Sequence, residues 1–375
     1  MDPVAARLAP ALPFWLSLAL VPLVWIAAVH GGWTILLVPL STWGLFMALD
    51  GWLGAYTGNA DPETDPGRLT WYRAITLIWA PVQVATIFGL IGYVTRTGHL
   101  GRGEELALFA AVGILTGTIG ITYSHELLHQ RPRIERWLAD ILLASVLYSH
   151  FRSEHLLVHH RYVGTPRDPV TARFGESCWR FLPRVLGQSA RSSFRAEAAM
   201  LARRGEPWWQ ARNPFWRYLA LQAGMLLLAG LIGGGWGLVL FAVQACVAIF
   251  QLELVNYVEH YGLTRRHLGE GRYEHVKPRH SWNSDQRASN WLLINLARHS
   301  DHHTKPDRRF PLLQTHGEDE APQLPAGYPV MTLAALVPPL WRRIMHPRVS
   351  RWRARHYPDI TDWSPYETAT LPHPR

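Results

Sequence analysis

The sequence predicts an all-α fold: an integral membrane bundle of six transmembrane helices with a histidine-rich cap on one side. Three observations support this prediction. Apolar residues make up 48% of the chain and are gathered in runs close to the length that crosses a bilayer. A net charge of +9, carried almost wholly by arginine, lies mostly outside those runs. Many of the 19 histidines cluster in the polar segments that follow the runs.

Six stretches are predicted to span the membrane as helices of roughly 20 residues. They cover residues 12–29, 34–49, 75–94, 106–123, 218–232 and 237–255. Glycine-rich turns follow the first and fifth stretches and lack arginine, which suits the translocated side. Segment 125–217 is rich in arginine, so the positive-inside rule predicts a cytoplasmic location. Counting spans then places both termini and segment 256–350 in the cytoplasm as well.

The chain is predicted to form a single domain over residues 10–350, followed by a C-terminal tail at 351–375. We expect the proline-rich part from Ala321 onward to loop over the surface. The two cysteines, Cys178 and Cys246, form no CxxC pair, which argues against a disulfide framework, a cysteine zinc site or a fused rubredoxin. In a membrane protein the basic charge suits anionic lipid, so no nucleic-acid partner is expected.

Four histidine clusters carry the chemistry. The first, at 125–129, lies at the end of the fourth span, and the third, at 256–263, follows the sixth. The second covers 154–160 and the fourth 298–303, and in the fourth the three histidines are expected to share one helix face. All four are predicted on one side of the membrane. Spacings of three or four residues place imidazoles on one helix face, so His155 and His159 are expected to align. The nine imidazoles belong to His125, His129, His155, His159, His160, His260, His299, His302 and His303.

Nine imidazoles exceed the roughly four to six ligands that one metal ion takes. The sequence therefore predicts two metal ions with open coordination positions, and those open positions favour redox iron over structural zinc. Because a metal-bound imidazole commonly donates its second N–H to a carboxylate, nearby polar residues are candidates for this supporting role, although charge balance for arginine explains the acids equally well. The candidates are Glu126, Glu154, Glu259, Asp301, Asp168, His280 and Asn256.

Other metal-site classes fit less well. His125–His129 matches HExxH, the zinc-protease motif, but a protease needs three protein ligands and would leave the other seven histidines unexplained. Carboxylate-type di-iron proteins need two ExxH motifs, and Glu126–His129 is one without a second. A haem protein would need isolated histidines inside the bundle.

At these clusters the sequence resembles the membrane alkane monooxygenase (alkane hydroxylase) family, within the superfamily of fatty acid desaturases and membrane di-iron hydroxylases. The boxes HxxxH, HxxxHH and HxxHH are shared across that superfamily. Segment 256–263, NYVEHYGL, is similar to the alkane hydroxylase branch, which includes xylene monooxygenase. Segments 165–169, 280–284 and 324–329 also resemble the family, and the resemblance covers residues 10–350.

The resemblance implies two non-haem iron ions, O2 as co-substrate and terminal hydroxylation of alkanes to 1-alkanols. It also implies electrons from rubredoxin, a separate chain with its own reductase, and a location in the bacterial inner membrane. A desaturase or hydroxylase of fatty acid or lipid alkyl chains is the alternative, because desaturation and hydroxylation both begin with hydrogen abstraction.

The sequence departs from the family pattern beside the histidines. Leu128 and Gln130 flank His129, where glycine and lysine are usual, and apolar residues fill the second box at 156–158. The ligand set is intact, so these changes bear on the substrate pocket.

An apolar substrate dissolved in the bilayer needs a channel between the spans. Trp43 and Trp79 lie in predicted spans and are bulky enough to limit the length of a bound alkyl chain, and Phe46 and Trp52 are further lining candidates.

Overall fold

Five helices in the computed structural model, which describes residues 8–367, are long and apolar enough to cross a membrane. We number them as the first to fifth spans. They are Ala9–His30, Gly32–Leu53, Pro66–Thr97, Arg102–Leu128 and Pro214–His260. The observed helices extend beyond the predicted runs because their polar ends continue the backbone hydrogen bonding past the apolar stretch.

The fifth span contains a reversal at Gly234. This glycine has φ 62° and ψ −154°, a conformation that a residue with a Cβ rarely adopts. A Cβ on Gly237 would lie 2.5 Å from the carbonyl oxygen of Ala229, whereas residues eight apart in a continuous helix are separated by about 12 Å. The two arms therefore fold back on each other, and they correspond to predicted stretches 218–232 and 237–255.

The fourth and fifth spans approach each other closely. A Cβ on Gly113 would lie 2.6 Å from the carbonyl oxygen of Gln244, so only glycine fits there. Several hydrogen bonds join the spans, among them one from Thr116 Oγ1 to Gln244 Oε1 at 3.0 Å and one from Gln251 Nε2 to the Gly113 carbonyl at 3.2 Å. Small residues and polar cross-links are how helices associate inside a bilayer. This contact brings the histidine-bearing ends of both spans together.

Short elements form the cap outside the spans. The α-helices are Arg133–Ala144, Phe151–Glu154, His160–Tyr162, Cys178–Ala202, Arg287–Leu292, His299–Thr304, Tyr328–Ala335, Pro338–His356 and Ser364–Glu367. His155–His159 is π-helical, and Pro278–His280 and Phe310–Leu312 are 3-10 turns. Strands His267–Gly269 and Arg272–Tyr273 pair antiparallel.

The prediction of a surface loop from Ala321 onward is wrong. Helices Tyr328–Ala335 and Pro338–His356 occupy this part, and both have proline in the first turn, where it favours helix initiation. The boundary predicted at residue 350 falls inside the second of these helices, and Trp352 beyond it is buried. The predicted tail continues into residues 368–375, which lie outside the described residues.

Two apolar cores hold the molecule together. One lies among the spans and the other lies under the cap, where Tyr257, Trp282, Tyr328 and Trp341 pack together with their neighbours. Leucines such as Leu231 are exposed on the outer surface of the spans, as expected for side chains that face lipid. The histidine clusters lie at the junction of these two cores.

Candidate metal centre

The nine predicted histidines form two groups in the structure. Within each group the ligand atoms lie within 4.8 Å of one another. The first group contains His125, His129, His155, His160 and His302. The second group contains His159, His260, His299 and His303. Each group therefore has enough donors to hold one metal ion.

The nitrogen spacing in the first group fits a metal ion. His155 Nε2 lies 2.9 Å from the Nε2 atoms of both His129 and His160. A ring nitrogen carries either one hydrogen or one lone pair, so hydrogen bonds alone satisfy such a set poorly. The Nε2 atom of His125 is buried and has no hydrogen-bond partner among residues 8–367. A metal ion with bonds of about 2.1 Å would place adjacent imidazole nitrogens about 3.0 Å apart.

The second group shows the same spacing. His299 Nε2 lies 3.2 Å from His260 Nε2 and 3.0 Å from His303 Nε2. His260 is the last residue of the fifth span, and His299 and His303 are one turn apart on helix His299–Thr304. His302 on the same helix reaches the first group, so this short helix serves both groups. The fourth cluster was expected to present all three histidines on one face, and the structure divides them.

A π-helical turn divides the second cluster in a similar way. Residues His155–His159 form π-helix, in which the backbone repeat is i to i+5 rather than i to i+4. This turn brings His155 to His160, and it directs His159 into the second group. The His155 and His159 rings do lie side by side, with centroids 5.3 Å apart, but they belong to different groups. Residue spacing alone does not distinguish the two kinds of turn.

Burial keeps these imidazoles in the form that binds metals. It lowers the pKa of His129 to about 3, with a smaller contribution from His159. It also lowers the pKa of His155, His160 and His302 well below the ordinary value, and neighbouring imidazoles add to the effect. A metal ligand must be deprotonated, so the fold presents neutral imidazoles at physiological pH.

Asp168 holds the orientation of one ring. Its Oδ2 atom lies 2.9 Å from His159 Nδ1, and it also accepts a hydrogen bond from Thr171 Oγ1 at 2.7 Å. The Val170 backbone N–H donates to the other carboxylate oxygen at 3.0 Å. A carboxylate on Nδ1 fixes the tautomer and leaves the Nε2 lone pair free to face the second group.

Glu259 contacts the second group from the fifth span. Its Oε2 atom lies 3.4 Å from His299 Nε2, and its Oε1 atom accepts a hydrogen bond from the Tyr328 hydroxyl at 2.9 Å. Tyr328 belongs to the proline-rich region that sequence reasoning treated as a surface loop. The helix that starts there therefore contributes a side chain beside the candidate ligands.

Glu154 and Asn256 belong to a buried polar network under the histidines. Burial, followed by the Asp168 and Glu253 carboxylates, raises the pKa of Glu154 well above its ordinary value. Asn256 Nδ2 donates to Glu253 at 3.1 Å, and the Tyr148 hydroxyl donates to the same carboxylate at 2.7 Å. Glu253 is therefore the shared acceptor for the Asn256 amide and the Tyr148 hydroxyl. Neither Glu253 nor Tyr148 was singled out from the sequence, because no spacing rule links them to the clusters.

Asp301 and His280, which were also predicted to support the metal ligands, direct their side chains to partners other than the ring nitrogens. Asp301 accepts two hydrogen bonds from Arg308, at 2.7 and 2.6 Å, and so fixes the loop that follows helix His299–Thr304. His280 Nε2 lies 2.9 Å from the Tyr357 hydroxyl in the cap. Their side-chain hydrogen bonds are made within the cap, while the backbone of His280 lies beside the His260 ring of the second group.

Glu126 is also directed away from the histidines, which bears on the protease alternative. Its carboxylate accepts a hydrogen bond from Gln130 at 3.1 Å and lies 4.0 Å from Arg309. A general base of an HExxH site would have to face a metal-bound water. The Gln130 that departs from the family pattern is thus the partner of Glu126.

An apolar cavity of about 880 Å³, including its open mouth, adjoins both histidine groups. Its walls come from the second, fourth and fifth spans and from the cap. His125 and His155 of the first group and His299 of the second line it. An apolar molecule in this cavity would therefore contact both candidate metal positions.

The two tryptophans predicted to limit the channel differ in their location. Trp43 lines the cavity. Trp79 does not, and the prediction is wrong for this residue: it is fully buried and donates a hydrogen bond from Nε1 to Gln83 Oε1 at 2.8 Å. Polar residues Thr118 and Gln251, which also line the cavity, were missed because they lie inside apolar spans. Trp79 was misassigned because the sequence of a span that is apolar on all sides does not show which side faces the cavity.

The fold and site define a class of helical membrane proteins with a histidine-rich metal centre, and comparisons agree. The family model described as "Fatty acid desaturase" matches residues 105–335. Alkane 1-monooxygenase 2 of Pseudomonas aeruginosa is 37% identical over 90% of this chain and 94% of its own length, and alkane 1-monooxygenase 1 of that organism is 38% identical over 91% and 90%. The hydroxylase component of xylene/toluene monooxygenase from Pseudomonas putida is 30% identical over 72% of each chain. The chain belongs to the alkane 1-monooxygenase family.

Proposed function

We propose that this protein is a di-iron monooxygenase that hydroxylates terminal C–H bonds of alkanes to 1-alkanols. The cavity that touches both histidine groups carries the proposal, because it would place an alkyl chain beside two metal positions. Its walls are apolar, and an unactivated C–H bond offers no acidic or basic group to recognise. Binding by shape and apolar contact is what such a substrate requires.

The histidines define the role of the metal centre. The first group would hold one iron ion and the second group the other, and iron would supply the O2 activation that no side chain can supply. The chain itself orients the His159 ring through Asp168, and burial keeps the His155 ring neutral. The apolar walls exclude water, which would otherwise compete for the open positions.

The membrane arrangement follows from the reversal in the fifth span. Counting its two arms separately, we propose six crossings, with both termini and the histidine cap in the cytoplasm of a bacterial inner membrane. The arginine-rich segment 125–217 supports this orientation through the positive-inside rule. An alkane dissolved in the bilayer would then enter the cavity between the spans.

Electrons would come from a separate rubredoxin and its reductase. The chain itself has only Cys178 and Cys246, which are free in the structure and far apart in sequence. Rubredoxin iron requires four cysteines, so this chain does not supply that redox centre itself. The relatives named above support a monooxygenase, which requires an external electron source.

Desaturation or hydroxylation of a fatty acid or lipid alkyl chain is the second candidate. The matching family model over residues 105–335 favours keeping it, because that family is described by desaturation. A fatty acid would need a polar anchor for its headgroup. Thr118, Gln251 and Ser289 are polar residues that line the cavity. Their donors are bound to Gln251 Oε1, to the Gly113 and Ile114 carbonyls and to Asp50, so a headgroup would have to replace one of these bonds.

Product analysis decides between the two candidates. Purified iron-loaded protein in nanodiscs would be supplied with rubredoxin, reductase and a panel of alkanes, alkylbenzenes and fatty acids, and products would be identified by mass spectrometry. We expect 1-alkanols from medium-length alkanes. Alkenes, or oxidation of fatty acids alone, would contradict the proposal.

A further inference from the structure

A second pocket, of about 740 Å³ including its open side, lies against the π-helical turn of the second histidine cluster. We call it the arginine pocket, and its walls come from residues 152–157, 197–204 and 212–218. Leu156 and Leu157, two of the departures from the family pattern, line this pocket and not the apolar cavity beside the histidine groups. The expectation that these two departures bear on the substrate pocket is therefore wrong.

The arginine pocket opens at the membrane boundary. The first turn of the fifth span forms one of its walls, and the reversal at Gly234 brings this end of the span to the same side as His260. Three exposed tryptophans lie between lining residues 204 and 217 of the sequence, namely Trp208, Trp209 and Trp216. Exposed tryptophans at the end of a span are typical of the layer of lipid headgroups.

The pocket carries a positive excess. Its charged lining residues are Arg152, Arg204, Arg212, Arg217 and Glu197. Asp140 lies 2.7 Å from Arg152 Nη1 and 3.1 Å from Arg217 Nε. Glu206 pairs with Arg212 at 2.8 Å. With these partners included, four guanidinium groups face three carboxylates. The excess of one positive charge matches the single negative charge of a phosphodiester.

Hydrogen-bond donors in the pocket are available to a ligand. Arg204 is exposed and makes no side-chain hydrogen bond or ion pair within residues 8–367. Arg217 Nε has no hydrogen-bond partner in this part of the chain. Glu197 instead accepts a hydrogen bond from the Ser153 hydroxyl in the pocket wall. A guanidinium group presents paired N–H donors that match two oxygen atoms of a phosphate.

The other half of the pocket is apolar. It is lined by Leu156, Leu157, Met200 and Leu201. Outside the pocket, leucines such as Leu219 and Leu227 are exposed along the first arm of the fifth span. A molecule whose charged group contacts the arginines would therefore find an apolar surface for its alkyl chains.

We propose that the arginine pocket binds the phosphodiester headgroup of an anionic phospholipid from the adjoining leaflet. Basic pockets at the ends of spans are suited to such headgroups. The bound lipid covers Leu156 and Leu157 and so shields the π-helical turn from water. Inorganic phosphate presents similar oxygen atoms but has no alkyl chain, so it would contact the arginines without using the apolar half. This inference does not depend on the reaction that the metal centre catalyses.

Binding is tested with iron-loaded protein in a neutral detergent, titrated with dioctanoyl phosphatidylglycerol. Native mass spectrometry counts the lipid molecules bound to each chain. Parallel titrations use dioctanoyl phosphatidylcholine, which has no net charge, and inorganic phosphate. We expect one phosphatidylglycerol per chain, bound about tenfold more tightly than phosphatidylcholine, because an arginine near an anionic headgroup favours binding. Inorganic phosphate should compete weakly.

Two double variants locate the site. Arg204→Gln/Arg212→Gln removes two charges at exposed positions of the pocket and should weaken phosphatidylglycerol binding by about tenfold. The matched control is Arg180→Gln/Arg191→Gln, which removes two exposed charges from helix Cys178–Ala202 outside the pocket and should leave the affinity unchanged. Thermal unfolding in the neutral detergent checks that all variants are folded.

A further variant tests the apolar half. Met200→Gln keeps every charge of the pocket and should still weaken phosphatidylglycerol binding, because an alkyl chain then lies on a polar side chain. Unchanged affinity in folded Arg204→Gln/Arg212→Gln, or an equal loss in the control pair, would overturn the site. Inorganic phosphate that binds as tightly as the lipid and displaces it, with no effect of Met200→Gln, would overturn the assignment to a phospholipid.

Discussion

His155 and His160 face each other with 2.9 Å between their Nε2 atoms, although they are five residues apart. The π-helical turn that joins them sends the intervening His159 into the other histidine group. One cluster of the sequence thus supplies donors to both candidate metal positions. Single substitutions within this cluster should therefore affect different metal ions.

The first prediction concerns the metal content of two neighbouring variants. His159→Ala leaves three imidazoles in the second group, whereas His155→Ala leaves four in the first. We expect His159→Ala to retain about one iron per chain, and His155→Ala to retain more than His159→Ala at limiting iron. The parent should hold about two. Metal analysis by mass spectrometry measures this directly.

The control is His30→Ala, which changes an exposed histidine outside both groups and should leave the iron content unchanged. Equal and complete loss of iron from His155→Ala and His159→Ala, with both proteins folded, would contradict two separable metal positions.

The second prediction distinguishes two carboxylates. Asp168→Asn should lower metal affinity by about 10–100-fold, because the His159 ring loses its anionic partner. Glu126→Gln should leave affinity and turnover nearly unchanged, since Glu126 faces Gln130 and Arg309. Competition with a coloured iron chelator gives both affinities. Abolition of turnover by Glu126→Gln would instead favour a general-base role.

The third prediction concerns substrate length. Trp43→Ser should admit longer alkanes, because Trp43 lines the cavity, and iron content should not change. Trp79→Ser should instead destabilise the protein by about 3–5 kcal/mol, the typical cost of removing a buried aromatic ring. Product yield against chain length, together with thermal unfolding, separates these effects. An unchanged chain-length profile in folded, iron-loaded Trp43→Ser would show that this ring does not limit the cavity.

The fourth prediction is that the metal-free protein loses stability as the pH falls. His155, His160 and His302 have native pKa values well below the value of about 6.5 expected in the unfolded chain. Below pH about 6.5 the unfolded state binds protons that the native state rejects, so the free energy of unfolding decreases on acidification. We expect a falling melting temperature from pH 7.5 to pH 5 after chelation.

Replacement of His160 by glutamine should reduce this pH dependence by about 1.4 kcal/mol per pH unit, the contribution of one proton. A melting temperature that rises on acidification would contradict the buried, neutral state of the histidines.

Much of the site was predictable from the sequence because metal ligands must recur at helical spacings. All nine histidines are in the two groups, as their clustering at the ends of apolar runs suggested. Their division between the groups was not predictable, because HxxxHH is compatible with both α-helical and π-helical turns. The same holds for helix His299–Thr304, which supplies both groups.

The fold was predictable where the length of an apolar stretch decides whether a helix can cross the membrane, and less so elsewhere. The reversal at Gly234 was anticipated by three consecutive glycines. Tyr328 and Trp282 lie in segments that resemble the family, but their contacts join distant parts of the chain, and local pattern does not show those partners. Trp43 and Trp79 look equivalent in sequence, and only the packing of the spans separates a cavity wall from the core.

The central claim is that two histidine-bound iron ions insert an oxygen atom from O2 into an alkane held in the cavity. The most direct measurement supplies 18O2 and octane to purified, iron-loaded protein with rubredoxin and reductase, and determines the products by mass spectrometry. The account predicts 1-octanol that carries one 18O atom per molecule, and none from protein loaded with zinc. Octene as the main product, or octanol whose oxygen comes from water, would contradict it.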